Sequence, residues 1–363
     1  MSTVPVISAW SAVSAFGAGR EKFRDGVRGG RPAVTPLDPG EWPAPVTQAC
    51  LVPVATAREL LGRKGTRSMD RATALAVAAV GGLLHGSDGS RIAGLDAGTA
   101  LVLGTSTGSL RSIMAFTRDA LTQDKPYFVD PARFPNTVMN CAAGQSAIWH
   151  GLRGPNVTIA GGRASALLAL NHALRLQRCG RARSVVCGAV EEFSGERAWL
   201  DWHTQVAGTP SPLTGEGCAV LLLEAPATAG RTALADVLSV QFALSADDGQ
   251  DVRAVLAGCL RRALAGAGAD PADVWAVAPS DPPGRQADSE HAAIRDVLGG
   301  HRWLRLSCMG LLGDTNSASA AFQIAALLSA AQDDPAAGGR AALVTAADRD
   351  GVVGCALLRL GCR

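Results

Sequence analysis

No stretch of the 363-residue sequence reaches the roughly 18 consecutive apolar residues that a bilayer-spanning helix requires. The opening MSTVPVISAWSAVSAFG lacks the basic n-region of a secretory leader and reads as a strand followed by a turn. Charge of one sign is also missing. The formal net charge is +2, with arginine far outnumbering lysine, and no basic run with interleaved aromatics occurs. A nucleic-acid surface is therefore not expected. No CxxC pair exists among the nine cysteines, whose number is odd and whose spacing is irregular. None pairs with the six histidines at a zinc-ligand spacing, so no metal is expected. The thiols read as buried and reduced, several inside apolar runs such as SVVCGAV (184–190) and GCAVLLLE (217–224). These absences together place the chain among cytoplasmic proteins.

What the chain has is apolar mass: 47% of its residues are hydrophobic and 18% charged, enough for one large α/β body or two ordinary domains. Strand-like and helix-like runs alternate. VPVISAW (4–10) precedes a helical pattern over 68–86, and TALVLGT (99–105) precedes one over 109–122. VTIAG leads into ASALLALNHALRLQRCG, followed by SVVCGAV and CAVLLLEA. After loop-like composition at APATAGRTA (225–233) the grammar restarts with LADVLSVQFALS, an amphipathic helix and VWAVA (274–278). WLRLSC and the apolar helix SASAAFQIAALLSAAQ follow, and two strands joined by a DRDG turn close the chain. The pattern predicts a partly parallel sheet and an internal duplication, with halves at 1–230 and 231–363.

Two strand–turn–helix junctions are candidate sites. GTSTG (104–108) has the G-x-S-x-G form of a nucleophile elbow, with Ser106 on the turn. A hydrolase needs a histidine in a loop downstream, and His203, His291 and His301 do not stand in one: His291 falls in a helical pattern and His301 reads as exposed. The plainer reading is a glycine turn that lets strand and helix pack closely. The second junction is VTIAGGRASALLAL (157–170), where Arg163 leads into a helix. Helix N-termini favour anions, so an arginine there needs a reason.

Residues 133–192 supply one. RFPNTVMNCAAGQSAIWHGLRGPN, the junction and the AVEE that follows closely resemble the β-ketoacyl synthases of fatty-acid and polyketide assembly. The resemblance implies a thiolase fold, two duplicated α/β halves in five αβαβα layers, as a dimer. It also implies a nucleophilic cysteine at the helix N-terminus and two histidines. Counting from GLRGPN, the cysteine position falls on Arg163. The first histidine position falls on Ser280, or on Pro279 if the loop is one residue shorter. The second falls on Asp314, and the lysine before it on Met309. Arg163 cannot be acylated, because a guanidinium stays protonated at neutral pH. Asp314 would repel a developing enolate. Neither Cys141, in the upstream helix pattern, nor Cys308, read in a strand, replaces the nucleophile.

The resemblance is therefore to the chain-length factors of type II polyketide synthases, inactive subunits that pair with an active ketosynthase and close its acyl tunnel. Arginine at 163, where aromatic-polyketide members usually carry glutamine, and the short loop SADDGQD (245–251) point to a branch serving reduced, polyene-type chains. No cofactor is implied, and the partners implied are the ketosynthase and a carrier-protein-borne chain. The tunnel is expected to end on the helix of GSLRSIMAFTRDAL (108–121), where Leu110, Ile113 and Thr117 share a face and Phe116 is a further bulky candidate. Plain core packing explains the same spacing. Arg163, with Asn136 and Met139 of the FPNTVMN motif, is expected at the subunit interface; the alternative is an internal pairing of Arg163 with Glu191 or Glu192. An acyltransferase or hydrolase built on Ser106 or Ser165 is the competing class.

Overall fold

The computed structural model describes residues 4–54, 56–86, 88–204, 212–225, 231–245 and 252–361. Residues 226–230, which end at the predicted boundary between 230 and 231, residues 246–251 of the short loop and Cys362 lie outside them. The first half runs β1 (Val6–Ser14), α1 (Arg20–Gly29), α2 (Arg71–Leu84), β2 (Ala100–Thr105), α3 (Leu110–Thr122), α4 (Cys141–His150), β3 (Asn156–Ala160), α5 (Ser165–Arg178), β4 (Ser184–Glu191), α6 (Gly195–His203) and β5 (Gly217–Glu224). The second runs β6 (Ala235–Leu244), α7 (Val252–Ala267), β7 (Val274–Ala278), α8 (Arg285–Leu298), β8 (Leu304–Arg305), α9 (Ser319–Asp333), β9 (Ala341–Ala347) and β10 (Val352–Leu360).

The duplication is visible in the strand order. The first half pairs as β1-β5-β4-β2-β3 and the second as β6-β10-β9-β7-β8. In each, the first two neighbour pairs are antiparallel and the last two parallel. The halves meet at a short antiparallel seam, Val6 opposite Asp236 and Ile7 opposite Ala235. Parallel neighbours need crossover helices, and this sets the layering.

Helices α5 and α9 lie between the two half-sheets and share one core cluster with strands of both halves. SAAFQIAALLS is buried all round, as a helix between two sheets must be. Ala and Ser dominate it, which lets it approach both sheets closely. The largest side chain there, Phe322, stacks on Phe23 at 5.6 Å, and its removal costs about 3–5 kcal/mol. α2 and α4 cover the outer face of the first half-sheet, and α7 and α8 that of the second. The result is five layers. Among the described residues no helix is long and apolar enough to cross a membrane.

Two expectations need correction. Cys308 is not in a strand, since β8 ends at Arg305 and Cys308 caps the short helix Met309–Leu312. His301 is half-buried rather than exposed, its ring nitrogens 2.8 Å from the Leu298 carbonyl and 3.2 Å from that of Val274. All eight described cysteines are free, and all but Cys179 are buried. Burial pushes the Cys187 and Cys308 thiols up to about 12, so they stay protonated.

Candidate functional site

At the β3–α5 junction the chain turns through a single 3-10 turn, Gly162–Ala164. Gly162 sits at φ +52°, and a Cβ there would lie 2.0 Å from the Asp348 carboxylate, so only glycine fits. That closeness has a purpose: Asp348, first residue of the DRDG turn, accepts the Arg163 backbone N–H at 2.6 Å. The anion expected at a helix N-terminus is thus a side chain from the other half of the protein.

The Arg163 side chain turns inward and forms a buried ion pair with Asp314 through Nη2 and Oδ2. The positions to which the resemblance assigns a nucleophile and a histidine are bonded to each other. Burial alone would lower the pKa of Arg163, but Asp314, with Asp348 and Glu290 farther away, outweighs it and raises it. Burial would likewise raise the Asp314 carboxyl, and Arg163, then Arg197, hold it below its ordinary value instead. Asp314 is locked on every side: Oδ1 accepts the Asn316 N–H at 2.9 Å, and its carbonyl takes Arg197 Nη2 at 2.8 Å. The alternative, an internal carboxylate partner for Arg163, is met by Asp314 rather than by Glu191 or Glu192.

The third position is occupied differently. Ser280, 1% exposed, donates its hydroxyl to Glu290 at 2.7 Å and receives the Ala347 N–H at 3.1 Å. Thr345 donates to the same Glu290 oxygen at 2.6 Å, and burial raises the Glu290 pKa. Met309 is half-buried at the start of its short helix. Neither candidate serine is placed as a nucleophile. Ser106 Oγ donates to Glu191 at 2.6 Å rather than to an imidazole. Ser165 is fully buried and pins the turn, bonding the Gly162 carbonyl at 2.7 Å and the Gly161 N–H at 3.0 Å.

Asp281, Glu290 and His291 bring three ligand-type side chains together. A cation is already there: Arg305 Nη2 lies 2.6 Å from Asp281 Oδ1 and 3.0 Å from His291 Nε2. Sequence reasoning did not foresee this cluster, nor the parts of Arg197 and Glu290, whose positions are distant in sequence from the junction they serve.

Two clefts flank α3. A polar one of about 150 Å³ opens beside the junction, lined by Ser106, Leu110, Gly162, Asn316 and Asp348 among others. The other, about 1120 Å³, lies against Arg111, Ser112 and Ala115, with Glu192 and Asp70 in its wall and Asn136 near α4. Glu192 is almost fully buried, and burial, reinforced by Asp70, pushes its carboxyl up to about 8. Of the predicted tunnel residues, Leu110, Ile113 and Phe116 are half-buried and Thr117 is exposed; no residue of α3 is buried. Core packing therefore does not explain its apolar spacing. Asn136 is half-buried, its Nδ2 donating to the Ser68 carbonyl at 2.7 Å, and Met139 is 38% exposed.

Residues 4–229 match the family model for the β-ketoacyl synthase N-terminal domain. The chain belongs to the β-ketoacyl synthase family. A curated relative, 3-oxoacyl-[acyl-carrier-protein] synthase 2 of Vibrio harveyi, is 32% identical over 136 residues, 38% of this chain and 32% of that one. The match thus spans about a third of the relative's length. The structure of the ishigamide ketosynthase/chain length factor is similar over 99% of both chains, at 44% identity and a TM-score of 0.91. A type II polyketide synthase acyl-carrier protein in complex with its ketosynthase, AntDE:AntF, matches at 17% identity and a TM-score of 0.80 over 99% of this chain and 100% of that one, a likeness of fold. The five layers are the thiolase-like fold of β-ketoacyl synthases, and the junction at Arg163 stands where the resemblance locates the family's nucleophile.

Proposed function

We propose that this chain is a non-catalytic chain-length factor of a type II polyketide synthase. In this reading it pairs with an active ketosynthase, closes the acyl tunnel at the heterodimer interface and sets the length of a carrier-protein-borne chain of the reduced, polyene type. The observation that carries the reading is the Arg163–Asp314 pair. Decarboxylative condensation needs a nucleophile to hold the acyl group and donors for the thioester oxygen. Here the nucleophile position is a protonated guanidinium, and the position of one donor is the carboxylate that neutralises it. Ser280, at the other, is enclosed with Glu290.

The surface around α3 supports the pairing. Met114 and Leu121 on α3, Phe134 and Met139 after it, Ile148 on α4 and Trp202 on α6 are all exposed, on segments that pack on one another. Ile148 is 76% exposed. Exposed apolar side chains gathered on elements that pack together favour a protein interface there. β3 is the open edge of the sheet beside it. The likeness to the ishigamide ketosynthase/chain length factor supports the same assignment.

The test is co-expression with a type II ketosynthase that carries an intact cysteine nucleophile. The expected result is a heterodimer by size measurement that elongates malonyl units, while the chain alone forms no product. A chain that elongates alone, or that stays homodimeric in the ketosynthase's presence, would refute the reading.

A further inference from the structure

Helix α3 lacks the apolar anchoring of the other long helices, since none of its residues is buried. Its N-terminus is held by one carboxyl group. Glu192, one residue beyond β4, accepts Ser109 Oγ at 3.1 Å and the Arg111 N–H at 3.4 Å on Oε1. Its Oε2 accepts the Ala72 N–H at 3.3 Å. One side chain thus satisfies otherwise unpaired N–H groups at the starts of both α2 and α3. Ser109 is itself the cap of α3, accepting the Ser112 N–H at 3.3 Å.

The two sides of α3 differ. At about 100° per residue, Arg111, Ser112 and Ala115 point to one side, and they line the 1120 Å³ cleft. Leu110, Ile113 and Thr117 point to the other, and Leu110 lines the small cleft at the junction. The helix is a wall with a large empty space behind it.

We propose that Glu192 is a positioning residue that pins α3 as this wall, and thereby fixes how far an acyl chain can run past Ile113. The proposal rests on the chain-length reading above. The groups facing Glu192 are Asp70 at the start of α2, Arg71 bound to Glu216, Arg111 on α3, and Arg197 of α6, whose Nη1 donates to the Glu192 carbonyl at 3.0 Å. Arg71 is bound to Glu216 yet lies near enough to Glu192 for the two charges to attract, Arg197 is engaged on the Glu192 carbonyl, and Asp70 repels a negative charge on the carboxyl. Glu192 is accordingly a neutral acid at neutral pH and an anion in mild base, where its bonds to the helix N-termini become charge-assisted.

The experiment uses the co-purified heterodimer and two readouts: hydrogen-exchange protection of the amides from Ile113 to Arg118, and the chain lengths of the products. Glu192→Ala is expected to lower that protection about tenfold, the loss of a helix cap, and to shift products toward longer chains. Glu192→Gln keeps the acceptor oxygen and is expected to preserve both at neutral pH. It is also expected to abolish the change in protection that the wild type undergoes between pH 7 and 9. Should Glu192→Ala fail to assemble, Ser109→Ala removes one of the three links and is expected to give a smaller loss in the same amides. Unchanged protection in the variants overturns the pin. Lost protection with unchanged product lengths overturns its link to chain length and the tunnel role of α3 with it.

Discussion

Neutralising one member of the Arg163–Asp314 pair should cost far more than removing both. Arg163→Met leaves Asp314 buried, where burial already opposes its charge and Arg163 is the strongest influence countering it. Asp314→Leu leaves a buried guanidinium whose Nη1 has no partner even in the wild type. Breaking a buried pair in this way costs about 3–5 kcal/mol, whereas replacing both members by apolar groups of similar volume is often near neutral. Asp314 keeps the Asn316 N–H after Arg163 is lost, so the lower end, about 3 kcal/mol, is expected for Arg163→Met. The Arg163→Met/Asp314→Leu double variant should recover most of the loss, giving a coupling between these residues in contact that is larger than either single loss. Denaturant unfolding of the four purified proteins measures the cycle. Single variants that each cost less than about 1 kcal/mol, with an additive double, would refute the claim that the two charges stabilise each other in the interior.

Other outcomes follow from the same structure. Arg163→Cys should not become acylated, because the thiol would face Asp314 with no imidazole near; mass spectrometry after incubation with acyl carrier protein thioesters checks this, and an acyl adduct on residue 163 would contradict it. Ile113→Ala or Phe116→Ala should lengthen the heterodimer's product, and unchanged products from both would remove α3 from chain-length control. Glu192 has a folded pKa of about 8 against an ordinary 4.5. The folded chain therefore retains a proton that the unfolded chain releases, and stability falls as pH rises from about 4.5 to 8, by up to about 1.4 kcal/mol per unit. Glu192→Gln should remove that slope, so parallel urea midpoints of variant and wild type at pH 5.5 and 8.5 would count against it. A serine-directed fluorophosphonate should label neither Ser106 nor Ser165.

Local signals carried much of the architecture. The alternation of apolar runs predicted the two rounds of strands and helices, and the helix predicted over 109–122 is observed as Leu110–Thr122. The Gly161-Gly162 junction was legible, and the FPNTVMN and GLRGPN motifs set the register by which the resemblance assigns positions 163 and 314. Contacts between distant segments were not legible. Arg163 and Asp314 are 151 residues apart, and periodicity says nothing about which charges meet across two half-sheets. Nor could spacing separate a core helix from one whose apolar side stays unburied. The apolar face of α3 has the same period in both cases, and only its lack of burial distinguishes them. The WLRLSC run failed at Cys308 because apolar content alone does not fix where a short edge strand ends.

The ion pair joins the two halves of the duplication, one member from the turn before α5 and the other from the loop before α9. This has a consequence for descent. A lineage carrying both charges cannot regain a working nucleophile by one substitution, since either reversion alone strands the opposite charge in the interior. The route back passes through a poorly folding intermediate, so on the proposed non-catalytic reading the loss of chemistry acts as a ratchet: dependence on a second gene product, once acquired, would be kept by stability as much as by selection for the product.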